Sequence, residues 1–346
     1  MTEAAPHSLP ILDFARFHAG PAERAAFVAD LRRILHDHGF FYLRGHGVPQ
    51  ELIDRLVAVS KAFFALPDAQ KLEIEMVNSP HFRGYNRAGF EYTRGAQDWR
   101  EQVDISTEGQ PEALDDEAPA WKRLVGPNQW PSAIPELKPV ALDYQEQVTA
   151  LGINLLRAIA LALGQPEDAF APIYDPQPGQ LLKLIRYPGR DTAQSDQGVG
   201  AHKDGGFVTV LLQHEVPGLR VQTLEGEWLE APPIPGTFVI NTGELLELAT
   251  NGFVRADVHD VIAPPPGVER FSFAFFLGAR YDATVPVLPL PEELRRQERG
   301  LTADPQNPLF RDVGLNSLKS RLRSHPDVAA AHHADLVRAL STEAAE

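Results

Sequence analysis

The chain contains no cysteine, and that absence removes several chemistries together. Disulfides, thiolate zinc sites, iron–sulfur clusters and cysteine nucleophiles are all excluded. Any bound metal must therefore be held by His, Asp or Glu. Positive charge is also in deficit: 32 Lys and Arg face 47 Asp and Glu, a formal balance of −15. A protein of that sign repels phosphate backbones, so nucleic acid is not an expected partner. No apolar run approaches the ~20 residues of a membrane span. The opening MTEAAPHSLPILDFARFHAG lacks the basic flank and sustained apolar core of a signal peptide. No membrane partner is expected, and the expected location is cytoplasmic. The G-x-S-x-G elbow, the Walker loop and a G-x-G-x-x-G after a strand are missing as well.

What is present is 346 residues with ordinary hydrophobic content, 43%, enough to bury an extensive core. The 30 prolines are spread among apolar segments and read as turns rather than disorder. Leu9 to Phe14 reads as a short strand. Residues 21–38 and 51–66 carry apolar residues at helical spacing. Between them FFYLRGHGVP reads as a strand and turn. Residues 78–135 are rich in Gly, Pro and charge, and read as long loops. Pro135 to Leu163 reads as one long helix ending at Gly164.

The texture changes after Pro178. Short β-type runs follow at 181–187, 207–213, 219–223, 227–231, 237–241, 253–259 and 270–277, most of them bounded by Gly, Pro or Asn. Regular short strands with turn signals indicate a barrel or sandwich. The predicted architecture is mainly β with α: a jelly roll wrapped by N-terminal helices, with a C-terminal helical tail. Three stretches are expected: an N-terminal subdomain over 1–135, a catalytic β core over 136–290, and a helical segment over 291–346 packing on that core. The terminal STEAAE is expected to fray. A monomer is compatible with the sequence, and no oligomeric interface is legible.

Twelve histidines remain as candidate chemistry. His36 and His38 close a helix, where a cation suits the dipole, and at i,i+2 they face different ways. His46 reads as a turn residue. His332 and His333 read as solvated positions on a polar helical face. His202 and Asp204 differ. If the chain there is extended, i and i+2 share a face, and an imidazole beside a carboxylate makes a pair of metal ligands. His259, 55 residues beyond Asp204, can return to the same barrel mouth. Two His and one carboxylate are the facial triad of non-haem Fe(II) oxygenases, with positions left over for a cosubstrate and O2. Arg270 and Ser272 then share one face of an apolar strand. A buried Arg there needs an anion, and its fork matches a carboxylate.

H-x-D, then His259 after NGFVRADV, then R-x-S before FF, resembles the iron- and 2-oxoglutarate-dependent oxygenases related to isopenicillin N synthase. LPILDF, HGFFYLRGHGVP and LLKLIRYPG are similar to the family as well, so the resemblance runs over most of the chain. The tail LFRDVGLNSLKSRLRSHPDV looks like bacterial members. The resemblance implies a double-stranded β-helix. It also implies Fe(II) held by His202, Asp204 and His259, with the distal carboxylate of 2-oxoglutarate on Arg270, Ser272 and the Tyr187 hydroxyl. The implied reaction is O2-dependent oxidation of a small molecule, by default hydroxylation, with release of succinate and CO2. The family's loop region bordering the pocket corresponds to HFRGYNRAGFEYTRG, which makes Arg83, Tyr85 and Arg94 candidate substrate contacts. Two positions depart from the family pattern: Ile185 stands where Asn is common, and Asp260 where Arg is usual. Asp260 should point away from the iron. Isopenicillin N synthase itself uses an R-x-S for substrate, so an oxidase working without 2-oxoglutarate stays open. So do a metal-binding barrel without turnover and a hydrolytic zinc enzyme.

Overall fold

The computed structural model describes residues 8–115, 117–190, 196–301 and 307–343. The last residues of STEAAE, expected to fray, lie outside the described residues.

Fourteen strands are named in chain order. The N-terminal third supplies β1 (Ile11–Asp13), β2 (Phe40–Arg44), β3 (Gly84–Asn86), β4 (Tyr92–Thr93), β5 (Ala96–Gln97) and β6 (Glu101–Ser106). Then come β7 (Gln180–Tyr187), β8 (Gln197–His202), β9 (Val208–Gln213) and β10 (Leu219–Gln222). The last four are β11 (Trp228–Glu230), β12 (Phe238–Thr242), β13 (His259–Ile262) and β14 (Arg270–Leu277). The major sheet has eight strands in the order β1-β2-β12-β9-β14-β7-β6-β3, and the minor sheet has four, β11-β10-β13-β8. Two facing sheets with crossing connections form the double-stranded β-helix. β1, β2, β3 and β6, from 1–135, share the major sheet with β7, β9, β12 and β14, from 136–290, and β4 and β5 form a separate two-stranded sheet.

Strand alternation decides which side chains meet the site. Along β14, Phe271, Phe273, Phe275 and Leu277 join the large core beneath the helices. The alternate positions Arg270, Ser272, Ala274 and Phe276 face the other way, and Ala274 and Phe276 join a second, smaller cluster between the sheets. The neighbouring strands follow the same rule. Leu182, Leu184, Val208, Val210, Phe238 and Ile240 face the helical layer, whereas Ile185, Tyr187, Leu211 and Val239 face the interior. Three helices, α1 (Pro21–Asp37), α2 (Gln50–Phe64) and α3 (Leu137–Ala162), cover the outer face of the major sheet. Gly152 lets α3 approach closely, since a Cβ there would come within 2.9 Å of Leu277.

Three expectations need correction. The 78–135 stretch is not all loop: β6 is a buried strand paired with β7 along its whole length. Val103 and Ile105 do alternate, but the intervening Gln102, Asp104 and Ser106 are buried polar residues, which disguised the strand. Residues 253–258 are not a strand, and only His259 onward pairs. Phe253 and Val254 are consecutive and both lie in the helical-layer core, which a one-sided strand does not allow. β8 carried too weak a signal because of its glycines. A Cβ at Gly198 would meet the Val261 carbonyl at 2.9 Å, and one at Gly200 would meet Thr93 at 3.0 Å.

The tail forms α5 (Val313–Ser324), α6 (Pro326–His332) and α7 (Ala334–Glu343), after the short α4 (Glu244–Ala249) earlier in the chain. Leu318, Leu322 and Val328 pack on Met76, Phe82 and Leu124. His333 is not solvated. It is buried, stacked on Phe82 with ring centroids 5.2 Å apart, and its Nε2 meets the Pro80 carbonyl at 2.7 Å. His332 is exposed, and its Nε2 reaches the Val77 carbonyl.

Candidate active site

His202 ends β8 and His259 begins β13, and the antiparallel register sets them directly opposite one another. Their rings lie 4.3 Å apart between centroids. Each Nδ1 faces a main-chain carbonyl, Gly200 at 2.8 Å and Asp257 at 3.3 Å. That leaves both Nε2 atoms turned toward Asp204 Oδ1, at 3.5 and 3.6 Å. The three ligand atoms lie within 4.8 Å of one another. Asp204 follows β8 rather than lying in it, so the chain bend, not strict strand alternation, swings its carboxylate to the histidines.

The opposite sheet holds that carboxylate in place. β9 and β12 pair with Thr209 opposite Asn241, both on the interior face. The Thr209 hydroxyl donates to Asp204 Oδ2 at 2.6 Å, and the Asn241 amide does so at 2.7 Å. Oδ1 remains for a metal. Such outer partners fix ligand orientation. Asn241→Ala should weaken Fe(II) binding by about 10–100-fold in an anaerobic Fe(II) titration, and an affinity within twofold of the parent would contradict this role.

Burial alone would raise the Asp204 carboxyl, but the charges of His259 and His202 and the Thr209 hydrogen bond outweigh it, holding it far below the usual range. Burial also opposes charge on His202, yet the hydrogen bond and charge of Asp204 raise its pKa above the ordinary value. His259 is pushed down to about 4, first by burial and then by the neighbouring His202. It is therefore neutral near pH 7, the form that coordinates a metal. Phe40 packs edge-on against it at 5.1 Å.

The second cluster lies on the interior face of the major sheet. The register puts Arg270 opposite Tyr187, and Ser272 between Ile185 and Gln213. The Arg270 guanidinium stacks over the Tyr187 ring at 4.8 Å. Its amino groups reach Gln213 Oε1 at 3.0 Å and Ser272 Oγ at 3.4 Å. Arg270 has no exposed surface, its Nε has no hydrogen-bond partner, and among the described residues no carboxylate pairs with it. Gly218 makes room for it: a Cβ there would come within 3.3 Å of the Arg270 side chain. Asp260 points away from the histidines, accepting the Arg220 fork at 2.9 and 2.6 Å.

A cavity of about 550 Å³ opens onto the histidine cluster, with His202 and Asp204 in its wall and Phe276 on the same lining. Arg94 lines it, but Arg83 and Tyr85, expected near the substrate, do not. Arg83 is buried and donates to the Leu124 carbonyl at 2.9 Å, and the buried Tyr85 hydroxyl donates to Glu101. Their stretch reads as exposed loop, whereas Arg83 is buried beside Leu124 and Tyr85 packs against Phe63 in the large core.

Sequence reasoning missed a chain of buried charges along the cavity. Glu91 accepts from Arg100 at 2.8 Å and from Lys183 at 2.7 Å. Asp104 accepts from Arg321, on α5, at 2.7 Å. Asp98, fully buried, accepts from the Thr93 hydroxyl at 2.8 Å and from Gly200 N–H at 3.0 Å. The polar positions of β6 could have signalled this network, since a strand that alternates Val and Ile with charge must satisfy the charge from somewhere.

A jelly roll with two imidazoles and a carboxylate converging at its mouth defines a non-haem iron oxygenase. The comparisons with known proteins agree. Residues 9–133 match the model described as "non-haem dioxygenase in morphine synthesis N-terminal", and residues 178–279 match "2OG-Fe(II) oxygenase superfamily". The chain is 40% identical over 339 residues to the 2-oxoglutarate-dependent dioxygenase frbJ of Dothideomycetidae sp. (strain 11243), covering 93% of this chain and 90% of the relative. It is 34% identical over 306 residues to the homoarginine-6-hydroxylase 2-ODD-C23.1 of Arabidopsis thaliana, covering 85% and 91%. The fold matches that of Neurospora crassa T7H, crystallised with alpha-KG and 5-formyluracil, at a TM-score of 0.73 and 24% identity over 92% of this chain and 97% of that one. The chain belongs to the 2OG-Fe(II) oxygenase superfamily and is a 2-oxoglutarate-dependent dioxygenase. Its curated relatives named in these comparisons are fungal, plant and amoebal, so they do not support the bacterial assignment suggested by the tail. No helix among the described residues is long and apolar enough to cross a membrane.

Proposed function

We propose that the protein hydroxylates an unactivated C–H bond of a small polar metabolite, with Arg270, Ser272 and Tyr187 receiving the distal carboxylate of 2-oxoglutarate. One observation carries this reading: a fully buried arginine with an unpartnered Nε and no carboxylate among the described residues. Leaving a cation unpaired in the interior is costly, and an anionic cosubstrate resolves that cost each time it binds. Ser272, next along the same face, adds a hydroxyl. Ile185 keeps the same pocket apolar on its other side.

The residues fit the implied metal. Fe(II), bound through His202, Asp204 and His259, supplies activation of O2 coupled to decarboxylation of 2-oxoglutarate. The protein's own part is to orient and to exclude. Thr209 and Asn241 fix the carboxylate, Gly200 and Asp257 fix the imidazoles, Phe40 packs against His259, and Phe276 adds an apolar side chain to the cavity lining.

Relatives named homoarginine-6-hydroxylases, such as that of Oryza sativa at 36% identity over 76% of this chain, support an amino-acid-like substrate. The proposal includes a cytoplasmic setting, where 2-oxoglutarate is available. Labelling with 18O2 tests it. Hydroxylation through 2-oxoglutarate puts one labelled oxygen into succinate and one into product. Product formed without succinate would favour an isopenicillin N synthase-like oxidase, and turnover without air would favour a hydrolytic metal enzyme.

A further inference from the structure

The hairpin of β4 and β5 is pinned between the metal strand and the tail. Thr93 pairs with Ala96, leaving Arg94-Gly95 as a two-residue turn with φ of 50° and 80°. Such turns demand positive φ at both residues and favour Asn-Gly. An arginine there adopts a conformation that side chains with a Cβ resist, so its presence calls for a reason. The hairpin is also held firmly. Asp98, just past β5, takes the Thr93 hydroxyl on one oxygen, and on the other the Gly200 N–H at 3.0 Å and the Gln197 amide at 3.0 Å. Gly200 lies two residues before the ligand His202, and β4 also packs against α5. Arg94 is thus fixed at the mouth of the cavity whose wall holds the metal ligands.

The charge of that cavity is opposite to the charge of the protein. In a chain with a formal balance of −15, basic side chains predominate along the lining, and the acidic ones are Glu91, Asp204 and Glu244. Asp204 is the metal ligand, and Glu91 is already paired with Arg100 and Lys183. Glu244 sits at the metal end, its N–H donating to the Asp204 carbonyl at 2.7 Å. On the far wall α5 contributes Lys319 and Arg323, and also Arg321, which is already paired with Asp104. Arg94 makes no hydrogen bond or ion pair among the described residues. Its planar fork suits a carboxylate.

We propose that Arg94, at the tip of the hairpin, is a specificity determinant that receives the carboxylate of a small carboxylate-bearing substrate, with Lys319 and Arg323 of α5 extending the same positively charged wall. The substrate's carboxylate then lies at the hairpin end, and the carbon to be oxidised lies at the histidine end. This rests on the 2-oxoglutarate hydroxylase reading above and adds to it the polarity of the substrate and the residue that reads it.

The test uses the full chain with Fe(II), 2-oxoglutarate and air, and follows succinate release with a panel of amino acids and other small carboxylates. Each is paired with its methyl ester, and matched phosphates and neutral metabolites are included. Stimulation is expected among the free acids, falling at least tenfold on esterification. For the best free acid, Arg94→Gln should raise KM tenfold or more while kcat falls less than threefold, and Arg94→Lys should recover part of the affinity. A panel in which carboxylates stimulate no better than phosphates, esters or neutral members overturns the proposal, as does an unchanged KM in Arg94→Gln. The wild-type protein's binding of 2-oxoglutarate and its slow substrate-free succinate release are read in the same samples. If those hold while the panel fails, only the carboxylate subsite is wrong; if they fail too, the hydroxylase reading itself is wrong.

Discussion

Asp204→Ala is expected to lose turnover by on the order of a thousandfold or more while keeping its fold. The carboxylate is the only anionic donor of the three-atom cluster, and without it the histidines present two neutral nitrogens, too few to hold Fe(II) tightly. The fold should survive because the loss is confined to one site. The Thr209 hydroxyl and Asn241 amide lose their acceptor, costing about 1–3 kcal/mol for each buried group left unpaired. The partners of Asp204 outweigh its desolvation, so the variant also loses the stability they contribute near neutral pH. Circular dichroism should therefore keep its native shape with a lower thermal midpoint, while succinate release disappears. Retained activity would refute the ligand assignment.

Arg270→Met carries the second large effect, and its signs separate function from structure. If Arg270 were a structural ion-pair member, its loss would destabilise the protein by about 3–5 kcal/mol. Here no carboxylate among the described residues pairs with it, and its Nε is unpartnered. A neutral side chain of similar length removes a lone buried cation, so the apo-protein should be as stable as the parent or more stable. The KM for 2-oxoglutarate should instead rise about a hundredfold or more. Each hydrogen bond from a charged group is worth ~1.5–3 kcal/mol, and every 1.4 kcal/mol is about tenfold. A thermal melt and a 2-oxoglutarate saturation curve on one sample decide the matter. A destabilised variant with normal KM would contradict the account.

The parts of this site that could be read from sequence are those in which chemistry and spacing coincide. Arg270 and Ser272 lie two residues apart on one strand and share a side; His202 and Asp204 have the same spacing, but a bend after β8 rather than strand alternation brings them together. His259 is legible as the third ligand that such a pair requires. Asp260 was expected to point away, and it does, toward Arg220. The rest depends on register and on distant pairing. Nothing local ties Thr209 and Asn241 to Asp204 until β9 and β12 are aligned. Arg321 meets Asp104 across more than half the chain, and Asp98 acts through a loop that looked unstructured. His333 misled because its helix is polar in composition but is covered by Phe82. Arg83 and Tyr85 are buried by residues distant in sequence, Leu124 for the first and Phe63 for the second, and such burial cannot be seen from charge and aromaticity alone.

The proposed site puts the Fe(II) ligands and a carboxylate receptor for 2-oxoglutarate in one barrel. Anaerobic titration of the apo-protein with Fe(II) and then 2-oxoglutarate tests it most directly. A visible charge-transfer band should grow to one equivalent of each, and both Asp204→Ala and Arg270→Met should suppress it. Saturating Fe(II) and 2-oxoglutarate without such a band, and without succinate once air is admitted, would contradict it.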